Sequence, residues 1–203
     1  DMNPVPLLAE GYERSADGLT YTVRLKKGVQ FHDGTEFDAE AVKLNFDRVL
    51  RPNSGLTRRA IYTFIDTVKV VDKYTVQFTL KYPHGGFIRR LAMNNTMMVC
   101  PSLIKAAGGN KAGLALKSCG TGPYIQEEFN PSEKFVVKKN PNYRIKGLPK
   151  LDGITFIPVP ENSTRAAMIR TGEADFITTV PLEQIKSLEA DETLNVTAIP
   201  SIM

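Results

Sequence analysis

Apolar and polar residues alternate strictly from Leu19 to Leu25, with Leu19, Tyr21, Val23 and Leu25 on one side and Thr20, Thr22 and Arg24 on the other. A period of two residues is that of a strand with one buried and one solvated face, and Asp17-Gly18 ahead of it is turn chemistry. The pattern returns twice as paired runs. Thr67–Val71 and Tyr74–Leu80 flank Asp72-Lys73, with Val68 and Val70 on one side of the first run and Val76, Phe78 and Leu80 on one side of the second. Tyr124–Phe129 and Lys134–Lys139 flank Asn130-Pro131. Both read as antiparallel hairpins, so the chain is constrained to sheets with one face on a core and one in water.

Helical spacing appears between these runs. Asp38 is placed to cap a helix through about Leu50, in which Ala39, Val42, Phe46, Val49 and Leu50 recur on one side, and Pro52 stops it. Phe87–Met93 reads as a short helix, Asn94–Cys100 as a connector running into a strand, and Pro101 opens another short helix that Gly108-Gly109 ends. Val29–Phe31 reads as a short strand before the Asp33-Gly34 turn. Towards the end, strands are expected at Ile154–Val159, Asp175–Thr178 and Leu194–Ile199. Helices are expected at Ser163–Arg170 and from Pro181. The class is α+β, hairpins first and a β-α-β-α-β run last.

The chain has 203 residues, 42% hydrophobic and 24% charged, which is ordinary for a globular protein and enough for a real core. A net charge of +4 is mild. The densest basic stretch, Lys134 to Lys150, is interrupted by apolar and polar residues and reads as a solvated surface, so nucleic acid is not an expected partner. No apolar run is long enough to span a bilayer. Asp1-Met2-Asn3-Pro4 has neither an initiator Met nor the character of a signal peptide, so the chain is expected to start inside a longer gene product. Pro200-Ser201-Ile202-Met203 suggests truncation at the other end.

Few residues carry reactive chemistry. Gly120-Thr121-Gly122-Pro123-Tyr124 lacks the full dinucleotide pattern and reads as a turn into a strand. His32-Asp33 sits at a turn and reads as a solvated Asx-turn. Cys100 and Cys119 have no nucleophile signature around them, and with His32 and His84 they lack the paired spacing of a zinc site. The two cysteines fit free thiols or a disulfide; the latter would close a loop of about 20 residues and stabilise by roughly 3 kcal/mol. Glu127-Glu128 and Asp191-Glu192 read as surface charge. Arg58-Arg59 follows the Pro52–Gly55 loop and precedes Tyr62, a setting suited to bidentate recognition of a carboxylate.

The stretch from Asp17 to Phe37, DGLTYTVRLKKGVQFHDGTEF, closely resembles the signature of family 5 extracellular solute-binding proteins. Gly120–Tyr124 with Asn140-Pro141-Asn142-Tyr143 resembles its second signature, and Thr171-Gly172-Glu173-Ala174-Asp175 its third. These motifs stand in the family's order across nearly the whole chain. Gly147–Asp152, Asn162–Met168 and Pro200–Met203 look most like the glutathione-binding branch.

The resemblance implies a fragment of a two-lobed periplasmic-binding-protein fold, less than half the usual length. Residues 1–30 would belong to lobe I, 31–150 to an extension subdomain, and 151–203 to lobe I again, with lobe II absent. It implies the solute-binding component of an ABC importer, periplasmic or extracytoplasmic and membrane-associated through a permease, which is its partner. The solute would be peptide-like, glutathione or a di- or oligopeptide; the alternative is another solute such as a metal chelate. No enzyme activity, cofactor or metal is implied. By position, Arg58 matches a ligand-contacting arginine, and Asn94, Asn95, Thr96 and Met97 match a stretch lining the cleft. The second arginine of nickel-chelate binders would fall near Met97, and its absence argues against that role. An oxidising compartment favours a Cys100–Cys119 disulfide.

Overall fold

The computed structural model describes residues 3–52, 55–109 and 112–197. It divides into two compact units, residues 1–156 and 157–203.

The first unit is built on two antiparallel sheets. Strands β1 (Ala9–Arg14), β2 (Thr20–Leu25), β3 (Ile65–Asp72) and β4 (Thr75–Leu80) form one in the order β1-β2-β4-β3. Its alternation is realised as read: Tyr21, Val23 and Leu25 of β2 are buried, as are Val76, Phe78 and Leu80 of β4. In register, Tyr21 lies opposite Phe78 and Val23 opposite Val76, so the two apolar rows share one face. The turn into β2 needs a left-handed residue, which Gly18 supplies with φ 71°. β2, from the 1–30 segment, thus hydrogen-bonds β4, from the 31–150 segment. The two segments share one core.

Helix α1 (Ala39–Leu50) covers that apolar face. Asp38 caps it by accepting a hydrogen bond from the Ala41 amide at 2.8 Å. Phe46 meets Phe78 with ring centroids 5.0 Å apart and Tyr62 at 5.7 Å, both edge-on. Phe87, fully buried on α2 (Phe87–Leu91), extends the cluster to Phe78 at 5.3 Å and Tyr21 at 4.6 Å. Helix α3 (Pro101–Ala106) opens on its proline and ends where Gly108 and Gly109 take positive φ. The second sheet, β5 (Tyr124–Asn130), β6 (Lys134–Lys139) and β7 (Gly153–Phe156), runs β5-β6-β7.

In the second unit, α4 (Asn162–Thr171) and α5 (Leu182–Glu189) bury Ala166 and Leu188. Arg170 Nη2 donates to Ser187 Oγ at 2.6 Å between them, and Gly172 closes α4 with φ 75°. Arg165 ties the chain around α4. Its guanidinium donates to the carbonyls of Val159 (2.6 Å), Pro160 (3.0 Å) and Thr179 (3.1 Å).

Several expected elements are absent or shorter. Val29–Phe31 forms only a single bridge, Gln30 to Glu36. The first helix after the hairpin ends at Leu91, and Asn94–Cys100 contains a 3-10 turn at Asn94–Thr96 but no strand. Residues 175–178 and 194–197 are not strands either, while 198 and 199 lie outside the described residues. The β-α-β-α-β run is therefore one strand and two helices among the described residues, and its strand, shortened to Gly153–Phe156, belongs to the hairpin sheet through β6. Strand β1 was not legible from Ala9–Arg14, where only Tyr12 and Ala9 are apolar.

Cys100 and Cys119 are joined by a disulfide, with Cα atoms 5.5 Å apart, and the Cys100 amide donates to the Cys119 carbonyl at 2.9 Å. Reduction should lower the unfolding free energy by roughly 3 kcal/mol, read from urea midpoints with and without reductant. Phe78→Ala, which empties the centre of the aromatic cluster, should cost about 3–5 kcal/mol in the same assay.

Candidate functional site

Helix α1 carries a second stripe beside the apolar one. Ala41, Asn45 and Arg48, spaced i, i+4 and i+7, are all buried, adjacent to the stripe of Ala39, Val42, Phe46 and Val49. The second stripe faces the irregular segment 95–99. Asn45, 5% exposed, makes the junction: its Nδ2 donates to the Ala41 carbonyl (2.9 Å) and the Val99 carbonyl (2.8 Å), while its Oδ1 accepts from the Val99 amide at 3.0 Å. The side chain thus pairs with Val99 as a neighbouring strand would, and satisfies backbone groups that no sheet reaches.

A shallow, open depression lies at this junction. Its floor is Asn45, Phe46, Arg48 and Val49 of α1. Arg58 and Tyr62 line one side, Asn95 to Met98 the other. Tyr62 is buried with 1% exposure; its hydroxyl bonds that of Thr96, which donates onward to the Arg90 carbonyl at 2.8 Å. Of the residues expected from sequence, Arg58, Asn95, Thr96 and Met97 meet in this depression; Asn94 does not line it and is exposed. Arg58 is exposed on the 3-10 turn Thr57–Ile61. Tyr62 packs edge-on against Phe46, not over the Arg58 guanidinium. Arg59, also exposed, donates from Nε to the Leu50 carbonyl at 3.3 Å and is absent from the lining.

Arg48 was not singled out by sequence reasoning. It is only 7% exposed, and its Nε is buried with no hydrogen-bond partner among the described residues. Burial, and then the neighbouring Arg58 charge, push its guanidinium below the ordinary arginine pKa. Among the described residues no acidic side chain lines the depression. The available signal was its place in the 41–45–48 stripe, on the buried arc of α1.

The other candidates resolve into structure. His32 stitches the Gly120–Gly122 turn to the first unit's core: its Nδ1 accepts from the Gly120 amide at 3.2 Å, its Nε2 contacts the Gly122 carbonyl at 3.1 Å, and its own amide donates to the Gly120 carbonyl at 2.8 Å. A ring protonated on Nε2 alone serves both contacts. Asp33 accepts from the Thr35 amide (3.0 Å), as in an Asx-turn, and from the hydroxyls of Thr35 (2.6 Å) and Ser102. Its carboxylate lies within 4.8 Å of both cysteine sulfurs, but a disulfide offers no thiolate to a metal.

This site, a polar depression on a rigid α+β scaffold, sits in the fold of periplasmic binding proteins. Over 92% of the chain the fold matches DppA of Helicobacter pylori, an ABC transporter-associated periplasmic binding protein in complex with the peptide STSA, with a TM-score of 0.81, 29% identity and 40% of that chain covered. It matches the binding protein AgaA in complex with agropinic acid, from A. tumefaciens R10, with a TM-score of 0.81 and 28% identity over 91% of this chain and 37% of that one. The profile described as "Bacterial extracellular solute-binding proteins, family 5 Middle" matches residues 3–203. The chain belongs to family 5 of the bacterial extracellular solute-binding proteins. The glutathione-binding protein GsiB of Salmonella paratyphi A is 46% identical over all 203 residues, which span 39% of that relative's length. These relatives are binding proteins, not enzymes. Among the described residues no helix is long and apolar enough to cross a membrane.

Asn45→Leu, which keeps the bulk and removes three hydrogen bonds, should lower stability by about 2–4 kcal/mol in urea unfolding and raise amide exchange at Val99 above that of the β2–β4 core. Burial raises the Asp33 pKa, but the hydrogen bonds from Ser102 and Thr35 outweigh it and the net shift is downward. A lowered folded-state pKa means its contribution is complete above the unfolded value and lost as pH falls below about 4. Asp33→Asn should therefore lower the unfolding midpoint at pH 7 and leave a smaller difference between pH 7 and pH 3 than the wild type shows.

Proposed function

We propose that this chain is part of the solute-binding component of an ABC importer, which works outside the cytoplasm and delivers its solute to a membrane permease. The solute is peptide-like: glutathione, or a di- or oligopeptide. The observation that carries this reading is the meeting of Arg58 with Asn95, Thr96 and Met97 in one depression that, among the described residues, no acidic side chain lines. A guanidinium suits the carboxylate of a peptide, and the neutral polar side chains suit its amides. The GsiB relatives support glutathione in particular, and the peptide complex of DppA supports the wider class.

Capture follows from the geometry of one-sided recognition. An open depression holds a solute strongly only when a second surface closes over it and excludes water; in this class of fold that is a hinge closure, and the closed state is the one a permease would recognise. No bond is made or broken. Met97, which stands on the wall, brings no cation to a metal chelate.

Calorimetric titration of the full-length gene product with reduced glutathione, short peptides and nickel chelates tests the reading. Glutathione or peptide should bind, and Arg58→Ala should weaken that binding by about 1.5–3 kcal/mol, the worth of a hydrogen bond to a charged group. Arg59→Ala should leave it unchanged. Equal affinity of wild type and Arg58→Ala would remove Arg58 from the site.

A further inference from the structure

We infer that Arg48 and Arg58 together form a subsite for a solute carboxylate, with Arg48 as its buried floor and a determinant of specificity for anionic solutes. The inference rests on the solute-binding reading above and deepens it by naming a second recognition residue.

Arg48 is 7% exposed, its Nε has no hydrogen-bond partner among the described residues, and it lines the same depression as Arg58. Buried cations are ordinarily paired with a carboxylate and fully hydrogen-bonded, because desolvation is otherwise uncompensated. Here the charged neighbour is another guanidinium, whose effect on Arg48 is repulsive. Both the unpaired donor and the like-charge repulsion are relieved by one species, an oxyanion seated between the two guanidinium groups. A carboxylate fits best, since its two oxygens match the planar donor fork of arginine. The rest of the lining is neutral: the Asn45 amide and the Thr96 hydroxyl already donate to backbone carbonyls, and Asn95 brings a side-chain amide that does not repel the anion. The floor is also held in place. Asn45, one turn before Arg48, is fixed by its three hydrogen bonds, so the guanidinium is offered from a rigid helix.

The test uses Arg48→Met, which keeps the apolar stem, and Arg48→Lys, which keeps the charge but loses the fork. Two readouts are taken on the full-length gene product. The first is binding of reduced glutathione and of its diester, in which both carboxylates are masked. Glutathione affinity should fall at least tenfold in Arg48→Met, partly recover in Arg48→Lys, and diester affinity should be the same in all three proteins. The second is the melting temperature without solute, in formate against chloride at equal ionic strength. Formate should raise the midpoint of wild type above that in chloride by mass action, and this increment should shrink in Arg48→Met, whose own midpoint in chloride should be no lower than wild type. Unchanged glutathione affinity with an unchanged formate increment overturns the inference. So does equal loss of glutathione and diester binding with a lowered midpoint, which marks a packing role. If wild type binds neither glutathione nor any peptide, the proposed solute class fails, and the formate increment still decides whether Arg48 is an anion subsite.

Discussion

The seating of α1 on the four-stranded sheet is the interaction on which the rest of the first unit depends. Phe46 is fixed edge-on against Phe78, with Tyr62 and Phe87 closing the cluster around these rings. Once Phe46 is docked, the helix cannot rotate, because each residue advances by about 100° and a turned helix would expose Val42 and Val49. That single constraint sets where the neighbouring stripe points. Asn45 reaches Val99 and Arg48 reaches the depression because Phe46, between them in sequence, is held in the core. Aromatic packing thereby determines the geometry of a polar site several ångströms away.

The same helix carries one residue that packing alone does not explain. Ala39, Ala41, Val42, Phe46 and Val49 are buried as an amphipathic helix requires, and Asn45 is buried with its hydrogen bonds satisfied. Arg48 is the exception in that row: a cation buried to the same degree, beside a second cation. Local rules are broken in folded proteins chiefly where a site demands it. The strong packing on the Phe46 side of α1 is what lets the helix tolerate an unfavourable group on its other buried edge.

Much of the scaffold was legible because its signals are local. The β2 alternation, the Asp38 cap and a hairpin turn near Asp72 are each read within a few residues; the structure agrees with the first two and sets the turn one residue later, at Lys73-Tyr74, because Asp72 pairs with Thr75. The misreadings share one cause, that a strand needs a partner. Asp175–Thr178 has strand-forming residues but no neighbour to pair with among the described residues, whereas Ala9–Arg14 is polar and becomes a strand because β2 offers it an edge. The site divides in the same way. Arg58 was marked by its setting in the sequence and again by the family resemblance, and Asn94 to Met97 by the resemblance alone; all but Asn94 line the depression. Arg48 was passed over because an arginine in an amphipathic helix ordinarily lies on the solvated face, and only the partner segment 95–99 makes that edge of the helix an interior one.

That partner segment shows how an irregular stretch can be held as firmly as a strand. Residues 95–98 form no strand, so their position owes nothing to a sheet ladder. They are held from both ends instead. Thr96 is bonded to Tyr62 and to the Arg90 carbonyl; Val99 is paired with Asn45; and Cys100 is joined to Cys119 both covalently and through its amide. Cys119 is followed by Gly120, which His32 grips through its ring and its backbone. The wall is thus anchored to the helix, to the aromatic core and to the turn that opens β5. A segment fixed at such short intervals has little conformational entropy left to lose, which is the condition the proposed solute recognition would place on a surface that keeps its backbone outside regular structure.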